Sequence, residues 1–338
     1  EQSMGEEHEV RLSGLQPNTR YYYAIGPVEK PHYTGSDFWF FTPPGSGEPV
    51  STRFVVLGDP GYPNPRQLVV QDVMQTWLDI NSRPGRAGFD LLLTTGDNAY
   101  RSGTNEQFQA GFFEPYANWL RNVPVWPAYG NHDARRWAFY NLVSFPTDGE
   151  SGGLPSGTEH YYSFDHGQVH FVILDSTSTS MDKGSAMLRW LEEDLLGSQQ
   201  PWLVAVLHHP PYTHGSHNSD SRRDSGGRLF DVRENVLPIL EQAGVDLVMS
   251  GHSHMYERSH LMGCHYGKSE TLQPEMMQQP VRQDESAVYI KPAAGRVAYQ
   301  GAIYLVLGSS SKLDQGPLDH PAMAVSAGEM GALVVDIN

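Results

Sequence analysis

Apolar positions along this chain fall into two rhythms. Short apolar runs recur, and most end at a glycine followed by polar residues. Phe54-Val55-Val56-Leu57, Leu91-Leu92-Leu93, Trp202 to Leu207 and Leu247 to Met249 are runs of this kind. They read as strands buried on both faces. Val123 to Ala128 reads as a further strand, interrupted by proline. Between the runs the spacing becomes helical, from about Pro65 to Asn81, Glu106 to Leu120, Ser185 to Leu196 and Leu229 to Gln242. In the first of these, Leu68, Val69, Val73, Trp77 and Leu78 are expected to share the inward face. Tyr161 to Phe164 and Val169 to Leu174 predict a hairpin across Asp165-His166-Gly167. Ala302 to Leu307 and Leu333 to Val335 read as late strands. Strand and helix in alternation predict a layered α/β domain. The hairpins beyond residue 160 favour two sheets packed face to face with helices outside. A single doubly wound sheet is the alternative.

The beginning of the chain differs. Tyr21 to Ile25 and Phe38 to Phe41 are β-prone, and no helical stretch separates them. The pattern Leu15-x-Pro17-x-Thr19-x-Tyr21 resembles the tyrosine corner of fibronectin III and immunoglobulin-like sandwiches. Residues 1–44 therefore read as part of such a sandwich, residues 45–52 as a Pro/Gly linker, and residues 53–338 as the main domain. A β-meander attached to the main sheet is the other reading. The Met/Gln-rich stretch Gln273 to Gln283 reads as a loop.

Composition narrows the function. The formal net charge of -16 argues against a protein that coats nucleic acid. It leaves an anionic substrate open, because bound cations reverse the local sign. Cys264 is the one cysteine, so an internal disulfide and a Cys₄ metal site are both excluded. No apolar run is long enough to span a bilayer.

Five strand ends carry metal-capable residues: Asp59; Asp97 with Tyr100; Asn131 with His132; His208; and His252 with His254. In α/β sheets, ligands sit beyond the carboxyl ends of strands. The donors are oxygen and imidazole, which suit first-row transition ions and harder cations. Seven donors are too many for one ion with open positions. They suit two ions about 3.5–4 Å apart sharing one carboxylate.

The blocks Gly58-Asp59-x-Gly61, Gly96-Asp97-x-x-Tyr100, Gly130-Asn131-His132-Asp133, Ala205-x-x-His208 and Gly251-His252-x-His254 resemble the signature of the purple acid phosphatases. These belong to the calcineurin-like metallophosphoesterases. The resemblance implies a metallophosphoesterase β-sandwich of two mixed sheets flanked by helices, preceded by the partial fibronectin III-like sandwich. It assigns Asp59, Tyr100 and His254 to a ferric site. Asn131, His208 and His252 go to a divalent site holding Fe, Zn or Mn, with Asp97 bridging. It implies hydrolysis of small phosphate monoesters by a metal-bound hydroxide. His132 is expected at the phosphate. A second histidine of the family lies nine residues after the fourth-block ligand, which gives His217, with His214 in reserve. Asp133 stands where many members have Glu. The run His208-His209-Pro210-Pro211-Tyr212 has a bacterial flavour. Export, to a secreted or periplasmic location, is implied by the family alone.

Each residue also has a plainer reading. Asp59 and Asp97 could be helix caps, Asn131 a turn residue and Tyr100 a core aromatic. His209 and His260 read as supporting or surface residues. Arg258 is expected to pair with a carboxylate beneath the site. Glu192-Glu193-Asp194 reads as a solvated helix face. For the whole protein, a phosphodiesterase on the same site and a metal-free binding module are the competing functions.

Overall fold

Phe54 and Phe171 meet edge to face with ring centroids 5.3 Å apart, and the contact joins two sheets. In this computed structural model, which describes residues 8–83, 85–278, 289–291 and 294–338, Phe54 belongs to a four-stranded sheet. Its order is Leu333–Ile337, Thr52–Leu57, Leu91–Thr94, Val125–Pro127. Phe171 belongs to a seven-stranded sheet ordered Met323–Ala327, Tyr256–Ser259, Ile303–Leu307, Leu247–Ser250, Trp202–Leu207, Val169–Leu174, Tyr162–His166. Both are mixed: in the small sheet only Leu333–Ile337 runs antiparallel to its neighbour, and in the large sheet four parallel strands from Ile303–Leu307 to Val169–Leu174 are flanked by the antiparallel Tyr256–Ser259 and Tyr162–His166. The two-sheet architecture is therefore the one adopted. Phe54, Val56, Leu93, Phe164, Phe171 and Met249 form one core between the sheets. The helix Ala186–Gly197 and a helix over 228–242 cover the outer face of the larger sheet, burying Leu188, Leu191, Val236 and Leu240.

Several elements depart from the sequence reading. The helix Pro65–Ile80 turns Gln67, Val70, Met74 and Leu78 inward. Leu68, Val69, Val73 and Trp77 point out, each at least 38% exposed. The cause is at its start. The Gln67 amide donates to the carbonyls of Pro60 and Gly111, which locks a polar residue into the buried face. The strands Tyr256–Ser259 and Met323–Ala327 were not expected. Arg258 lies in the first of them and makes no ion pair with a carboxylate among the described residues. Asp194 is not on a solvated face. It is buried, and accepts from the Leu154 N–H, Ser163 Oγ and His170 Nε2.

At the N-terminus the structure has a two-stranded antiparallel sheet, Arg20–Tyr22 with Trp39–Phe41. The Tyr21 hydroxyl accepts the Gln16 N–H at 2.8 Å. Tyr23 Oη donates to the Arg121 carbonyl, and Asn122 Nδ2 to that of Trp39, which fasten the sheet to the main body. Pro274–Met276 is a single 3₁₀ turn in the expected loop, whose residues 279–283 lie outside the described ones. Among the described residues, no helix is long and apolar enough to cross a membrane.

Candidate metal centre

The parallel strands of both sheets run out at the same end, and seven polar side chains meet there. Asp59, Asp97 and Asn131 follow three strands of the small sheet; His208, His252 and His254 follow two of the large one. Neither aspartate caps a helix. Asn64 caps the helix Pro65–Ile80, and Thr104 caps the helix beginning at Asn105. Asp59, Asp97 and His252 hold positive φ of 49°, 55° and 66°. Left-handed backbone is uncommon outside glycine, although Asp and His take it more readily than most, and three such residues together at strand ends fit the clustering of backbone strain at functional sites. Asn131 does not take that conformation, so a left-handed turn is not its role. Two glycines allow the loops to close on one another. A Cβ on Gly130 would lie 2.0 Å from the Asp97 nitrogen, and one on Gly251 2.1 Å from Asp59 Oδ1.

The donors form two groups joined by one carboxylate. In the first, Tyr100 Oη lies 3.2 Å from Asp59 Oδ2, 3.1 Å from His254 Nε2 and 2.9 Å from Asp97 Oδ2. In the second, Asn131 Oδ1 lies 2.9 Å from His208 Nε2 and 3.0 Å from His252 Nδ1. Asp97 Oδ1 approaches that group, 3.5 Å from His208 Nε2. Tyr100 is 5% exposed, and its hydroxyl is engaged by two carboxylates rather than by core packing alone.

Each imidazole has its other nitrogen occupied. His208 Nδ1 pairs with the Thr95 carbonyl, His254 Nδ1 with Asp314 at 2.6 Å, and His252 Nε2 with Ser225 Oγ at 2.6 Å. The His208 bond places that proton on Nδ1 and turns the lone pair of Nε2 inward. This is how metal-ligating histidines are usually supported. Burial drives His252 well below the ordinary imidazole pKa, and His209 and His208 push the same way, so it is neutral. Burial raises the Tyr100 phenol well above its usual value, and Asp59 and Asp97 raise it further. Two buried carboxylates and three inward imidazole lone pairs repel one another unless cations stand among them, and the Tyr100 phenol has only one proton to share among them. The donor set therefore fits a pair of metal ions.

His132 stands beside this cluster. Its N–H donates to Asp97 Oδ1, Nδ1 pairs with the Arg101 carbonyl, and Nε2 lies 3.9 Å from Asp97 Oδ2. Asp133 turns away from it, accepting N–H groups from Asn98, Ala99 and Gly130. His217 stacks on His252 with centroids 3.9 Å apart. His214 is not brought to the cluster: its ring faces Asp319, Asp220 and His320. His209 is buried against Ser176 and the His252 ring. Asp224, Ser225, Lys312 and Asp314 were missed. Asp314 had a signal, since it follows the apolar run Ile303–Leu307 as the other candidates follow theirs.

The profile of the family described as Calcineurin-like phosphoesterase matches residues 52–256, more than half of the chain. The chain belongs to the calcineurin-like phosphoesterases. Within that family it is similar to plant purple acid phosphatases. It is 32% identical over 265 residues to Purple acid phosphatase 22 of Arabidopsis thaliana, covering 75% of this chain and 54% of that one. To Purple acid phosphatase 21 of the same plant it is 31% identical over 263 residues, covering 75% and 53%. The chain thus spans about half the length of these relatives. Its fold is that of a purple acid phosphatase from yellow lupin (Lupinus luteus) seeds. The TM-score is 0.67 at 18% identity, over 96% of this chain and 56% of the other.

Proposed function

We propose that this calcineurin-like phosphoesterase hydrolyses phosphate monoesters at a dinuclear Fe(III)–M(II) centre; its similarity to proteins named purple acid phosphatases supports the phosphatase part of this reading. One observation carries the reading: two donor groups share Asp97, and only the first contains a phenol. Asp59, Tyr100 and His254 would hold the ferric ion, since a phenolate suits a hard trivalent cation. Asn131, His208 and His252 would hold Fe, Zn or Mn. When bound, such a pair supplies charge to polarise the phosphate and to acidify a water near neutral pH.

The chain's own residues do the remainder. His132, whose Nε2 lies 3.9 Å from the shared carboxylate of Asp97, would stabilise the charge on a phosphate bound there. His217 offers Nε2 as the proton donor to the departing oxygen. Asn131 orients the phosphate beside them. The partners are small phosphate esters. The His208-His209-Pro210-Pro211-Tyr212 run supports grouping the chain with bacterial members, and export follows those relatives. Residues 1–44 fit a partial fibronectin III-like sandwich ahead of the catalytic domain.

A visible spectrum of the purified protein tests the metal assignment, with a tyrosinate-to-iron band expected and lost in His254→Ala. Turnover of a chromogenic monoester against a diester tests the substrate. A preference for the diester overturns the monoester reading. Absence of near-stoichiometric iron, zinc or manganese overturns the enzyme and leaves a binding module.

A further inference from the structure

One carboxylate outside the seven donors reaches two rings of the site. Asp224 lies in the loop between the His208 strand and the following helix. Its Oδ1 pairs with His217 Nδ1 at 2.8 Å and accepts from Ser225 Oγ at 2.7 Å. Its Oδ2 accepts the Asn218 N–H at 2.8 Å. Ser225 Oγ has one proton and gives it to Asp224, so toward His252 Nε2 it can only accept. His252 therefore carries its proton on Nε2, and Nδ1 keeps its lone pair toward Asn131 and His208. By the same logic Asp224 holds the Nδ1–H of His217 and leaves Nε2 as that ring's free atom. Ser225, Gly226 and Gly227 have successive φ of 48°, 63° and 87°. This left-handed curl sets the carboxylate and the hydroxyl on the same side, and the two rings lie nearly parallel at 21°.

We propose that Asp224 is the positioning residue of this site, fixing His217 directly and His252 through Ser225. The inference rests on the phosphatase reading and adds to it the group that aims the proton donor. As an oxygen from water bonds to phosphorus, the ester P–O bond breaks and its electron pair goes to the departing oxygen. The proton on His217 Nε2 passes to that oxygen. Asp224 retains the Nδ1–H throughout, so the ring keeps its orientation.

The test is leaving-group dependence in the metal-loaded enzyme. Phenyl phosphate needs its departing oxygen protonated; 2,4-dinitrophenyl phosphate does not. Asp224→Asn is expected to lower kcat on phenyl phosphate about 100-fold and on the dinitrophenyl ester less than about threefold, within the usual range for a positioned acid. The second-group metal is expected to bind about tenfold more weakly, because His252 loses its support through Ser225, so both esters are assayed at saturating metal and the affinity is measured separately. His217→Ala should show the same split, and the double variant should be no slower than His217→Ala alone, as for residues acting as a unit. Equal losses on both esters, or no loss on either, overturn the proposal and leave Asp224 as a loop tie. If Asp224→Asn does not fold, Asp224→Glu keeps the charge, displaces it, and is read by the same two esters. A wild-type enzyme that turns over neither ester overturns the phosphatase reading itself, a different result from a flat response in the variant.

Discussion

Nε2 of His208 and Nδ1 of His252 lie 3.2 Å apart, and both present lone pairs. Asn131 Oδ1 completes a triangle of acceptors with them. The edges, 2.9, 3.0 and 3.2 Å, are short enough for one small cation to be held by all three. Removing the ions leaves these groups, and the carboxylates of Asp59 and Asp97, facing one another without compensation. Exhaustive chelation should therefore destabilise the fold. Ions present at about 1,000 times their dissociation constant contribute about 4 kcal/mol. The melting temperature should fall by about 10 °C at a few degrees per kcal/mol and recover on adding metal. Calorimetry with and without a chelator checks this.

Tyr100 gives a separate handle on the first group. Tyr100→Phe removes one oxygen and leaves the packed ring. The visible band should disappear while the second group keeps its metal. Affinity for the trivalent ion should fall at least about tenfold, the lower end of what even a supporting residue contributes. Absorption spectra and elemental analysis of the variant check both.

Asp314 should matter nearly as much as a ligand. Its Oδ2 lies 2.6 Å from His254 Nδ1 and 2.9 Å from Lys312 Nζ. Asp314→Asn removes the charge that orients the ring and raises its basicity. Affinity for the first metal is expected to drop about 10–100-fold. Competition with a chromophoric chelator measures it.

His170 predicts a pH dependence far from the site. It bridges Asp165 at 2.7 Å and Asp194 at 2.8 Å between the large sheet and its covering helix. Burial opposes its charge, but hydrogen bonds to Asp165 and Asp194 prevail and hold the pKa at about 9. The unfolded value is about 6.5. The folded value is the higher one, so the stabilisation is complete below about pH 6.5 and is lost as pH rises through about 9. Its upper size is about 3 kcal/mol. Urea titrations at pH 6 and pH 9.5 should show a fall in stability that His170→Gln lacks.

The site was more legible than the surface. Asp59, Asp97, Asn131, His208, His252 and His254 each follow an apolar strand, and strand ends are where α/β folds present side chains. Asp224 and Ser225 follow no strand. They reach the site through a left-handed curl that no apolar period marks. The helix Pro65–Ile80 was found, but its face was misjudged. Periodicity weighs apolar residues and could not foresee that two carbonyls would hold Gln67 inside. Asp194 was misread for the same reason: a charged residue in a helix looks solvated until its buried partner, His170, is known. The strand Tyr256–Ser259 escaped because Glu257 and Arg258 break its apolar pattern.

Each donor group draws side chains from loops of both sheets, and Phe54 and Phe171 are part of the packing that sets how those sheets stack. The shape of each group thus depends on an apolar contact inside the sandwich. Trimming either ring would let one layer drift against the other and detune the chemistry while the strands stay paired. Metal affinity at the two groups would then double as a strain gauge for the interior of the molecule.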